Sequence, residues 1–248
     1  MSAARQNSVR HLAELYTIVI ALALTVAIEG VINKSNLLHP SVANWSSFEN
    51  HIINVLTFLV IIVPFYHGAV RHLFATYIEG DFAKTIKNGA LLVDFFLLFV
   101  EGCLFIVMAW ALPNSNLFAW VVVLLLILDS VWGFLAWLAF AGVKAPYAER
   151  TWARINIVTA AFLALLLIFA KNVFEDAPLL SQVGILVIIS LRTILDYTLC
   201  WDFYFPEYAA TARTSTRDKP KNLPHRSRRS ATMRTGQQRK QSSKNPPE

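Results

Sequence analysis

Arg192 and Asp196 stand four residues apart inside the apolar stretch from Ile189 to Pro206. That spacing puts both side chains on one face of a helix. Other ionisable residues set in apolar surroundings are Glu14, Glu29, Arg71, Asp94, Glu101 and Asp129. The chemistry these groups offer is the handling of protons or cations, because a carboxyl in a low-dielectric interior binds or releases a proton according to its neighbours. Six acids against two arginines would leave a charge of −4 if all were ionised. A low-dielectric core does not hold that excess uncompensated. Some carboxyls must keep protons, or cations and water must enter, and the same balance argues against an anion pore.

Spacing groups these residues further. Asp94 and Glu101 are seven apart and share a helix face, and so do His67 and Arg71. Depth along each apolar run places Asp94, Arg71, Arg192, Asp196 and Glu14 in a layer toward one side. Glu101 and Asp129 fall near the middle, and Glu29 toward the other side. The expected polar interior is therefore Asp94, Glu101, Asp129, Arg192 and Asp196, with Arg71 and His67 at its mouth. A structural role competes for the same residues. Arg192 and Asp196 could be an ion pair that fixes packing, Asp129 and Glu101 could be interhelical hydrogen-bond partners, and His67 could be a packed bundle histidine. Pro64 and Gly68 are expected to loosen their helix and free carbonyls toward a polar cavity.

The elements that must position these side chains are long. Of 248 residues, 56% are hydrophobic and 15% charged, whereas a soluble domain carries about a quarter charged residues. The apolar runs are continuous over roughly 20 residues, the length of a membrane-spanning helix rather than of a barrel strand. The fold class expected is all-α: a polytopic integral membrane protein, a bundle of six transmembrane helices with a disordered basic C-terminal tail. The spans are read at about His11–Ile32, His51–Tyr77, Gly89–Leu112, Leu117–Ala141, Trp152–Ala170 and Leu179–Phe203. This divides the chain into an N-terminus (1–10), a transmembrane domain (11–206) and a tail (207–248). Pro113-Asn114-Ser115-Asn116 reads as a tight turn. The fifth span has no charge between Ile155 and Ala170 and is expected at the lipid-facing periphery. The first span is expected to be retained rather than cleaved, since its apolar run continues through Glu29-Gly30 to Ile32.

Loop charge sets the orientation. Arg5, Arg10, Lys84, Lys87, Lys144, Arg150 and Arg154 fall on one side, against Lys34 and Lys171 on the other. Both termini are therefore expected in the cytoplasm, with the chain in the cell (inner or plasma) membrane. Trp45 and Phe48 outside, and Trp152, Trp201, Phe203, Tyr204 and Phe205 inside, are expected to form interfacial aromatic belts. From Glu207 onward 11 Lys/Arg face 3 acids, so the tail carries about +8, while its few apolar residues cannot drive folding. Expected partners are the lipid bilayer itself, and anionic headgroups or a cytoplasmic protein for the tail. Assembly as a homo-oligomer is compatible with the sequence. Nucleic acid is disfavoured because no aromatic side chain is interleaved among the tail's arginines.

Two pairs of short matches hint at an internal repeat: Ile28-Glu29-Gly30 with Val100-Glu101-Gly102, and Ile127-Leu128-Asp129 with Ile194-Leu195-Asp196. No nucleotide fingerprint, phosphate loop or metalloprotease motif is present in the sequence. The chain is accordingly not expected to be an enzyme or to carry a cofactor or metal. Cys103 and Cys200 lie in apolar runs and read as free thiols. The preferred expectation is movement of protons, cations or a small solute. The alternative is a non-transporting effector, anchor or accessory subunit that recruits a partner through its tail.

Overall fold

A computed structural model describes residues 3–35, 45–79, 88–139, 148–170 and 177–207. The expected disordered tail from residue 208 onward, and Lys84, Lys87, Lys144 and Lys171 of the loops used for orientation, lie outside the described residues, whereas Lys34 falls within α1. Six long helices follow one another: α1 (Ala3–Ser35), α2 (Trp45–Tyr77), α3 (Asn88–Ala111), α4 (Ser115–Ala139), α5 (Ala148–Phe169) and α6 (Pro178–Leu199), with a four-residue α7 (Trp201–Tyr204) behind them. Each of the six is long and apolar enough to cross a membrane. No strand occurs among the described residues.

Local chemistry explains where the helices begin and end. α1 starts earlier than the expected span because its opening residues include two alanines and Arg5, all good helix formers. α4 starts at Ser115 because the Leu117 N–H donates to Asn114 Oδ1 at 3.0 Å, an N-terminal cap. Pro178 occupies the first turn of α6, where a missing N–H costs nothing. The sixth helix does not run on to Phe203 as expected. Cys200 adopts φ −110°, ψ 22° and ends α6 there. After this break the chain continues through α7, which buries Phe203 and Tyr204.

In a bilayer, apolar surface alone does not drive helices together; close packing and polar contacts do. Glycines permit the close approaches. A Cβ on Gly102 of α3 would stand 2.6 Å from Val19 of α1, and one on Gly133 of α4 would stand 2.8 Å from the Glu149 carbonyl of α5. α5 faces lipid as expected, but it also carries one closely packed face. It packs chiefly on α4 and also on α6, burying Glu149, Trp152, Asn156, Ala160, Leu163 and Leu167. Those positions recur every three or four residues, one helical stripe. Its other face, with Val158, Phe162 and Leu165, is exposed and suited to lipid.

Helices α1, α3 and α5 start at one end of the bundle, here the proximal end, and α2, α4 and α6 return to it. Toward the distal end comes an apolar layer built from Phe58, Ile61, Phe105, Met108, Phe118, Val122, Leu125 and Ile185, and beyond it buried Asn54 and Gln182 both donate to Ser115. The proximal half holds an aromatic cluster of Trp132, Trp152, Phe203 and Tyr204. The buried charges lie proximal to the apolar layer, beside and beneath this aromatic cluster.

Candidate functional site

Nearest the proximal end, His72 of α2 is wholly buried between two carboxylates. Its Nε2 faces Asp94 of α3 at 3.2 Å and its Nδ1 faces Glu149 of α5 at 3.3 Å. A neutral imidazole has one N–H, so it can satisfy only one of the two carboxylates. The Thr76 hydroxyl lies 3.4 Å from Nδ1, so a neutral ring that donates to Asp94 can accept from Thr76, while a ring protonated on both nitrogens can donate to both carboxylates. Asp94 also accepts from Tyr77 at 2.6 Å and from the Trp132 indole at 2.9 Å. Trp132 packs edge-on against the His72 ring at 4.8 Å.

Deeper in the bundle, Glu101, Asp129, Arg192 and Asp196 line one cavity of about 20 Å³ together with Trp132, Trp152 and Tyr204. A space of that size admits about one water molecule. Asn156 of α5 divides its amide between two charged groups: its nitrogen donates to Asp129 Oδ2, and its oxygen accepts from Arg192 Nε at 2.7 Å. Arg192 Nη2 stands 3.2 Å from Asp196 Oδ2. Tyr204 of α7 donates to the same Asp196 oxygen at 3.1 Å. Across the bundle, Tyr16 of α1 donates to Glu101 at 2.8 Å. Arg192 Nη1 and Asp196 Oδ1 are buried without a protein partner in hydrogen-bond geometry. Both residues line the cavity, where a single water can serve such groups.

Phe65 closes the cavity toward the distal side. The Arg192 guanidinium lies 4.8 Å from its ring centroid, and Phe105 packs edge-on with the same ring at 5.9 Å. Immediately before Phe65 in α2, Pro64 lacks the N–H that would bond the Val60 carbonyl. Thr193 of α6 fills that role, donating to Val60 O at 3.3 Å. The helix runs unbroken through Pro64, so the expected loosening takes the form of one freed carbonyl claimed by a neighbouring helix. Gly68 leaves room for Tyr204 and Trp152, whose atoms lie 3.3 Å and 3.7 Å from where its Cβ would be.

Of the residues expected in the polar interior, Glu101, Asp129, Arg192 and Asp196 meet at the cavity, while Asp94 belongs to the adjoining His72 trio. Trp132 touches both groups, lining the cavity while its indole N–H holds Asp94. Arg71 does not join the acids of the charged layer. Its Nε donates to the Phe203 carbonyl at 2.9 Å and its Nη1 to Glu79. His67 lies against Tyr197, with Nδ1 3.3 Å from the Tyr197 hydroxyl, and against the ring of Tyr204. Glu14 is exposed and pairs with His11, and Glu29 is exposed beside Asn33, so neither belongs to the layer. The expected inner aromatic belt is largely an internal cluster: Trp152, Phe203 and Tyr204 are buried, and only Trp201 is exposed.

Beyond α6, burial and the neighbouring Asp196 and Glu149 carboxylates push the Cys200 thiol up to about 12. The same burial and the Asp196 charge push the Tyr204 hydroxyl upward as well. Both groups therefore stay protonated at neutral pH, and Tyr204 stays a donor to Asp196.

Compared with family models, curated proteins and solved structures, the chain matches none.

Proposed function

We infer that this membrane protein takes up and conducts protons through its buried carboxylate network. The observation that carries this reading is the convergence of Glu101, Asp129, Asp196 and Arg192 on one small cavity, with the His72 trio between it and the proximal end. Five buried carboxylates, Asp94, Glu101, Asp129, Glu149 and Asp196, face two buried bases, Arg192 and His72. The excess favours binding of positive charge. A cavity with room for about one water suits a proton passed along hydrogen bonds and is too small for an organic solute. The basic loops of the sequence favour a cytoplasmic proximal face, in the cell membrane, and thus loading from the cytoplasm.

Proteoliposomes with a trapped pH-sensitive dye and an imposed potential test the reading. The parent protein should acidify or alkalinise the lumen, and Asp129→Asn and Glu101→Gln should abolish that flux while eluting as monodisperse protein. Unchanged flux in both variants would overturn it.

A further inference from the structure

The seam between α4 and α5 has a second, lipid-facing side. There a groove of about 530 Å³ is lined by Val131, Phe134, Leu135 and Ile157, with Trp137, Arg150 and Arg154 also on its wall. That volume lies in the range of small-molecule sites, about 300–1,000 Å³. The four apolar side chains are each about half exposed, as expected of a surface covered by acyl chains. Arg150 and Arg154 are exposed and one turn apart in the first two turns of α5, so they share a face at the proximal end. Trp137 stands near the end of α4 at the same level, its ring 5.0 Å from the Arg150 guanidinium. Among the described residues no carboxylate lies within salt-bridge distance of either guanidinium.

We propose that this groove binds a phospholipid with an anionic headgroup, one acyl chain lying along the α4–α5 seam and the phosphate held between Arg150 and Arg154. The groove is apolar along its length and doubly cationic at the level where a headgroup sits. Tryptophan marks that level in membrane proteins. A guanidinium fork matches phosphate oxygens in pairs. Two unpaired positive charges select a headgroup with net negative charge, since a zwitterionic one brings its own ammonium to repel them.

The test uses the full chain in nanodiscs of phosphatidylcholine containing phosphatidylglycerol, followed by native mass spectrometry of the released protein. The parent should retain phosphatidylglycerol in preference to phosphatidylcholine. Arg150→Gln with Arg154→Gln should weaken that retention about 25-fold, at roughly a factor of five for each arginine near the headgroup plane. Leu135→Trp, which fills the groove and leaves both arginines, should lower occupancy by either lipid. Parent-like retention in the double arginine variant overturns the proposal. So does equal retention of the two lipids by the parent, or a disulfide between two copies through Leu135→Cys, which would show a second chain in the groove.

Discussion

Arg192 Nε donates to Asn156 Oδ1 at 2.7 Å, which leaves the amide nitrogen of Asn156 to hold Asp129. One uncharged side chain thus joins a base on α6 to an acid on α4. Asn156→Leu removes both bonds and should destabilise the protein by about 1–3 kcal/mol or more, because the orphaned groups are charged. Thermal unfolding in detergent measures it. Arg192→Gln should cost more, about 3–5 kcal/mol, by leaving buried carboxylates without their base. Adding Asp196→Asn to Arg192→Gln should restore part of that loss, and an additive double variant would contradict the pairing.

The His72 trio gives a second expectation. His72→Phe keeps an aromatic ring against Trp132 but leaves Asp94 and Glu149 facing an apolar group. Proton flux should fall to the level of empty liposomes. His72→Phe combined with Glu149→Gln should regain thermal stability but not flux. Recovery of flux in the double variant would show the histidine to be a packing residue.

Helix proximity gives a third. Gly102→Ala places a methyl 2.6 Å from Val19 Cγ1. Val19 is β-branched and has little rotamer freedom to move aside, so overpacking should cost about 1–3 kcal/mol. Val19→Ala should relieve it, giving a double variant more stable than Gly102→Ala alone. Gly133→Ala meets a backbone oxygen, Glu149 O, at 2.8 Å. No single side-chain replacement should rescue it.

The Cys200 thiol sets a pH dependence. Its ordinary value is 9.0, and it stands at about 12 in the fold. Below pH 9 folded and unfolded chains both keep this proton, and it does not alter stability. Between about 9 and about 12 the unfolded chain releases the proton and the folded one does not, so stability falls as pH rises. Cys200→Ala should flatten the alkaline end of a stability profile. At neutral pH, N-ethylmaleimide should label Cys200 far more slowly in the folded protein than after denaturation, since the thiolate is the reactive form.

The charges were legible in the sequence because an ionised group in an apolar run is costly and stands out. The six long helices followed from the same runs. Asn156 escaped notice because an amide amid apolar residues carries no comparable penalty, and its burial depends on how α5 is rotated against α4. Glu149 was placed in a loop because the fifth span was started at Trp152. In the structure it lies in the first turn of α5, where an acid suits the helix dipole. His72 was overshadowed by Arg71, its neighbour in sequence but a different face of α2. Phe203 and Tyr204 resemble a belt in the sequence because nothing local announces that the helix breaks at Cys200 and buries both rings. Pro64 was the one positional clue whose consequence could be followed to a named acceptor, the Val60 carbonyl.

The apolar layer distal to the cavity has an electrical consequence. A membrane potential drops mainly across material that neither water nor polar side chains screen. Here that is the layer of Phe58, Phe105, Phe118 and their neighbours, between Phe65 and the distal Asn54, Ser115 and Gln182 cluster. A proton resting at Asp129 would still sit near the voltage of the proximal compartment. Its onward passage would cross most of the field, worth about 2.3 kcal/mol per 100 mV, so current through the protein should rectify steeply rather than vary in proportion to driving force.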